Sequence, residues 1–210
     1  MKRFLPILAL VFVFAVGCQA DSNIDNTANC NTTLSVSLPT TRTGFGEKVG
    51  NVYSICWSEG DKIAVNGTPS EGIEINSENS SCAIFTLGTP FVYPISVVYP
   101  YCVSTTAEQS IVEFPAEQEY VKGSFASGSA PMCGYAETAS GTITMKHLAG
   151  VLRFSVKAMD EGVVLDKIVI TAKNSIAGEF NVDCQNTTIT PTPKVGNVIT
   201  YTLPDNFTLS

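Results

Sequence analysis

Val151-Leu152-Arg153-Phe154-Ser155-Val156-Lys157 is the most regular stretch of this chain, and its period is two. Leu152, Phe154 and Val156 fall on one side of an extended backbone, and Arg153, Ser155 and Lys157 on the other. A helix repeats every 3.6 residues and would scatter those six side chains around its axis, so the pattern specifies a half-buried strand. Working outward, Asp160-Glu161-Gly162 supplies a turn, and Lys167-Ile168-Val169-Ile170-Thr171-Ala172 follows as a second strand with β-branched residues on both faces. Further short apolar runs, broken by Gly, Pro, Asn and Ser, predict strands near 33–38, 50–57, 61–66, 82–87, 93–99, 109–114, 141–147, 150–158, 165–173, 177–183 and 196–203. No segment sustains a helical period, and no internal repeat is present. The expected fold is all-β, a two-layer antiparallel β-sandwich with Greek-key connections. Leu152, Phe154, Val156, Ile168 and Ile170 are expected in its core. Residues 115–140, rich in Pro, Gly, Ser and Ala, read as a long excursion between strands.

The amino terminus addresses the chain to a membrane. Lys2 and Arg3 precede an uncharged apolar run from Phe4 to Val16. At ~1.5 Å per residue that run spans about 20 Å, short of a ~30 Å hydrocarbon core, which makes it a signal peptide rather than a spanning helix. It ends in Ala15-Val16-Gly17-Cys18, which resembles the bacterial lipobox, in which the cysteine thiol receives diacylglycerol after cleavage. Residues 1–17 are therefore read as a lipoprotein signal peptide and Cys18 as the lipidated residue, with outer-membrane lipid as its partner. Gln19-Ala20-Asp21-Ser22 resembles the acidic stretch that directs Bacteroidetes-type lipoproteins to the outer leaflet, and 18–32 reads as a polar tether. Residues 1–17 hold two of the twelve Lys/Arg and none of the nineteen Asp/Glu, so the remainder carries a net charge of −9. Such a surface repels phosphate backbones, and nucleic acid is not an expected partner. Roughly 190 remaining residues suffice for one sizeable sandwich.

Chemistry-bearing motifs are sparse. The single histidine, His147, precedes the most regular strand and reads as a strand-end packing residue. HExxH, GxSxG and P-loop patterns do not occur, the acidic pair Asp160-Glu161 sits in a turn, and Glu117 and Glu119 flank Gln118 in a loop. Neither enzyme activity nor a cofactor is expected. Besides Cys18 there are six cysteines: Cys30, Cys56, Cys82, Cys102, Cys133 and Cys184. In an oxidising compartment an even set permits up to three disulfides, in any of about 15 pairings, and scattered buried thiols are the alternative. None forms a CxxC pair, so no metal site is expected.

Five motifs then fall in a familiar order. Trp57-Ser58-Glu59-Gly60-Asp61-Lys62-Ile63-Ala64-Val65, Tyr99-Pro100-Tyr101, Phe114-Pro115-Ala116-Glu117-Gln118, His147-Leu148-Ala149-Gly150-Val151-Leu152-Arg153-Phe154 and Ser175-Ile176-Ala177-Gly178 together resemble the fimbrillin family of Bacteroidetes-type pilus subunits. The resemblance covers roughly residues 33–203. It implies a transthyretin-like sandwich over 33–210 followed by a second, C-terminal domain, so the chain reads either as a fragment, the favoured reading, or as a member that has lost that domain. It also implies a surface pilus subunit, or an anchor or tip component, that supports adhesion and joins other pilus subunits by strand exchange. In that family an Arg-specific protease can remove the first strand. Arg42, in the open stretch Pro39-Thr40-Thr41-Arg42-Thr43-Gly44, is the one candidate target between the signal peptide and Arg153; the alternative is a solvated loop residue and a retained first strand, as would suit an anchor subunit or a non-polymerising relative. The other class of function is a stand-alone surface lipoprotein that binds a glycan or host protein. That reading would be favoured by exposed aromatics among Phe91, Tyr93, Tyr99, Tyr101 and Tyr135.

Overall fold

A computed structural model describes residues 31–39, 48–49, 52–53, 55–122, 124–126, 128–139 and 141–209. Every regular element among them is a β-strand. In chain order the first nine are β1 (Asn31–Ser37), β2 (Lys48–Val49), β3 (Val52–Tyr53), β4 (Ala64–Val65), β5 (Thr68–Ile75), β6 (Cys82–Phe91), β7 (Ile95–Tyr99), β8 (Ile111–Phe114) and β9 (Glu117–Val121). They are followed by β10 (Ser124–Phe125), β11 (Met132–Ala136), β12 (Ile143–Thr144), β13 (Lys146–His147), β14 (Lys167–Thr171), β15 (Ala177–Asp183), β16 (Thr188–Gly196) and β17 (Val198–Thr202). The fold is an all-β, sandwich-like assembly of mainly antiparallel sheets.

The largest sheet has the order β12-β1-β6-β5-β4-β7-β11-β13. Only Met145 separates β12 from β13, yet β12 pairs with β1 and β13 pairs with β11. One short segment thus joins both edges and closes the sheet around a single core, and Met145 N–H donates to Ser37 O at 2.8 Å within that seam. Alternation supplies the filling: Leu34 and Val36 from β1, Phe85 and Leu87 from β6, and Ile95 and Val97 from β7 are all buried. Each such side chain contributes about 1.5–3 kcal/mol of hydrophobic stabilisation. Gly134 of β11 leaves space at the closure, because a Cβ there would meet Ile143 Cγ2 at 2.7 Å.

Strands β4, β7 and β11 are buried on both faces. Their outer residues Ala64, Val98 and Cys133 form a second core with Val112 and Phe114 of β8 and Phe180 of β15. The covering layer is a three-stranded sheet in the order β16-β15-β8. The Phe114 and Phe180 rings meet edge to face, with centroids 5.1 Å apart. A four-stranded sheet in the order β10-β9-β17-β14 has no fully buried face among the described strands.

Several sequence expectations change. Residues 115–140 are not an excursion: they hold β9, β10 and β11, and β11 lies at the centre of the molecule. Pro, Gly and Ser there mark tight turns between strands, and their density hid the short apolar run Met132–Ala136. β5 and β16 were not anticipated, because Pro69, Gly72, Pro191 and Pro193 interrupt their patterns. The larger correction falls on Val151–Lys157, which belongs to no strand. Leu152, Phe154 and Val156 are 69, 51 and 46 % exposed. Ile168 and Ile170 are only half-buried. Alternation specifies which residues share a face, and it is silent on what covers that face.

Candidate assembly surface

β14 pairs only with β17, so among the described residues its other side is an open sheet edge. Backbone N–H and C=O groups along such an edge are available to another strand. Ile168 and Ile170 lie opposite Tyr201 and Ile199 on one face of this sheet, and all four are half-buried. On the other face Val169 and Val198 are 53 and 38 % exposed. The chain that leads from β13 into β14 is apolar and uncovered too. Beyond Leu152, Phe154 and Val156, it exposes Val151, Met159, Val163 and Val164. Exposed apolar side chains therefore concentrate between residues 151 and 169. On soluble proteins a large patch of this kind marks an interaction surface. No sequence rule could have found it, because the signal that made 151–157 look like core is the same one that now marks a sticky surface.

The aromatic residues that a glycan-binding reading needs are not exposed. Phe91 and Tyr99 are buried, and Tyr93, Tyr101 and Tyr135 are half-buried. The Trp-Ser-Glu-Gly-Asp motif is structural. Trp57 packs edge to face on Phe85 and Tyr99, with centroids 5.0 and 5.2 Å away. Gly60 adopts φ +88° in the turn beside it, and the Asp61 carboxylate accepts from Ser58 N–H and from the Tyr99 hydroxyl, both at 2.8 Å. His147 is half-buried in β13, its Nε2 has no hydrogen-bond partner among the described residues, and burial holds its pKa below the usual 6.5.

Cys18, Cys30 and Arg42 lie outside the described residues. Of the remaining cysteines, Cys56 is exposed, Cys82 half-buried, and Cys102, Cys133 and Cys184 buried, all five as free thiols. Cys56 Sγ accepts from Ser80 Oγ at 2.9 Å, and Cys82 Sγ accepts from Asn79 Nδ2 at 3.4 Å. The described residues contain no group of three or more potential metal ligands, and no helix long and apolar enough to cross a membrane. Glu117 and Glu119 stand exposed on β9, and Asp160 and Glu161 are exposed in their turn. The best-defined ion pair is Glu179 with Lys194 at 3.0 Å. Ser104 Oγ also donates to Glu179 at 2.8 Å, and the two donors hold that carboxyl below its ordinary range. No protein-family model, curated protein or solved structure matches this chain.

Proposed function

We infer that this chain is a lipid-anchored component of a surface fimbria, fixed in the outer membrane through Cys18 and joined to neighbouring subunits by strand pairing. The observation that carries this reading is the open edge of β14, reached by an apolar segment whose residues 151–157 belong to no strand. A neighbour's extended strand would satisfy the edge hydrogen bonds and cover Leu152, Phe154 and Val156 at once. The ordered fimbrillin-like motifs support the same reading, and so do the signal peptide and its terminal Gly17-Cys18. The transthyretin-like topology and the adhesive role belong to this proposal.

β1 offers a second route to strand exchange. It lies between β6 and β12, with Leu34 and Val36 in the core. Cleavage after Arg42 would release β1 together with the lipid and leave an apolar slot for a neighbour's strand. Electron microscopy of surface material from cells with and without the gene tests the function, and fibres present in both would overturn it. N-terminal sequencing of sheared fibres tests the maturation step. A start at Thr43 is expected if β1 is released, whereas an intact 18–42 segment rules the cleavage out.

A further inference from the structure

The second core brings two thiols together from different layers. Cys133 lies on the outer face of β11, fully buried, with Val98 as its ladder partner on β7. Cys184 follows the last residue of β15 and is 5 % exposed. Its Sγ reaches Val97 O, the residue before that ladder partner, at 3.7 Å. The two side chains pack in one cluster that also holds Val98, Val112, Phe114 and Phe180. In this structure both sulfurs are reduced. No third potential metal ligand joins them to make a cation site among the described residues.

We propose that Cys133 and Cys184 are oxidised to a disulfide that staples the three-stranded sheet to the outer face of the closed sheet. The bridge rests on the export reading for its oxidising compartment, since cytosolic thiols are kept reduced. Its oxidant is a small-molecule or protein disulfide. Cys184 is the attacking group: its sulfur accepts from the Cys133 thiol and from the Ser110 and Ser96 hydroxyls, which lowers its pKa despite burial. Its proton goes to solvent. The Cys133 thiol, donating to that sulfur and buried, is pushed up and ionises second. Cys184 also lines a cleft of about 230 Å³ with Asn66, Ser96, Ser110, Tyr135 and Asp183, through which an oxidant can approach.

The Cys184 thiolate attacks one sulfur of the oxidant's disulfide, forming a mixed disulfide and expelling the other sulfur as a thiolate. Cys133 then loses its proton and attacks Cys184 Sγ, which forms the protein S–S bond and expels the oxidant's second sulfur. Two electrons have passed to the oxidant, and the two protons released by the protein protonate its two thiolates.

The test is run on the purified full chain equilibrated in oxidised glutathione, then denatured, alkylated and mapped by mass spectrometry without reductant. A peptide joining Cys133 to Cys184, lighter by two hydrogens than the sum of its parts, is expected. The oxidised protein should also melt at a higher temperature than the reduced one, a difference abolished in Cys133→Ala and in Cys184→Ala. Full alkylation of both residues, or linkage of either to another cysteine, overturns the proposal. Because the oxidation is performed on isolated protein, its failure condemns the bridge alone and leaves the question of export where it was.

Discussion

Asp61 shows how one side chain links a motif to the core. Its carboxylate holds the Ser58 N–H of the turn and the Tyr99 hydroxyl, whose ring in turn supports Trp57. Asp61→Ala removes both acceptors and is expected to destabilise the fold by about 2 kcal/mol in chemical denaturation, the scale of hydrogen bonds to a charged group. At the closure of the main sheet, Gly134→Ala would push a methyl toward Ile143 Cγ2 at 2.7 Å and Met145 Sδ at 3.1 Å. That overpacking should cost about 1–3 kcal/mol, read as a lower unfolding midpoint with unchanged slope. His147 gives a pH dependence with a definite sign. Its folded pKa lies below 6.5, so the unfolded chain takes up the proton first as pH falls. Its contribution is complete above the unfolded value and is lost as pH drops toward the folded one. Melting temperatures between about pH 7 and pH 5 should therefore fall less steeply in His147→Leu than in the parent.

At the scale of elements, the Asn66-Gly67 hairpin and the 151–158 segment teach opposite lessons. Ala64 pairs with Pro69 and Val65 with Thr68, leaving a two-residue loop in which both residues have positive φ, 45° and 82°. Asn-Gly between apolar residues is the strongest short-range hairpin signal, and it was present in the sequence to announce β5 despite Pro69. For Val151–Lys157 the local signal was strong and the element is nonetheless unpaired. Phe154 tests its role. Its side chain is half in solvent, so Phe154→Asp should change stability by no more than about 0.5 kcal/mol. The same substitution places a charge where a neighbour's strand would pack, and it should abolish fibre assembly on cells. A large loss of stability in the isolated protein, or normal fibres, would sink the assembly role of this segment.

For the whole molecule, the layers depend on side chains that serve two cores at once. β7 sends Val97 into the closed sheet and Val98 into the second core, and β11 divides Met132 and Cys133 in the same way. Such strands lack the clean alternation of a half-exposed sheet, which is why Met132–Ala136 passed for a loop. The remaining question of scale is where the molecule is held. Cys18→Ser should lose all metabolic labelling by a fatty-acid analogue, while the fold, whose described strands begin at Asn31, keeps its melting temperature. Labelling that persists in the mutant would overturn the lipobox reading.

Read by itself, the sequence determined that the chain is built of strands, and it placed β1, β6, β7, β8, β14, β15 and β17 close to where they lie. These features follow from local rules: a period of two, turn residues with special dihedrals, and large apolar side chains avoiding water. Tertiary structure alone decided that residues 143–147 close the main sheet, that Cys133 and Cys184 share one core, and that Leu152, Phe154 and Val156 stay uncovered. The physical reason is that pairing partners and covering layers are long-range choices. An apolar face lowers its free energy against any suitable surface, and which surface is within reach depends on how the rest of the chain has folded.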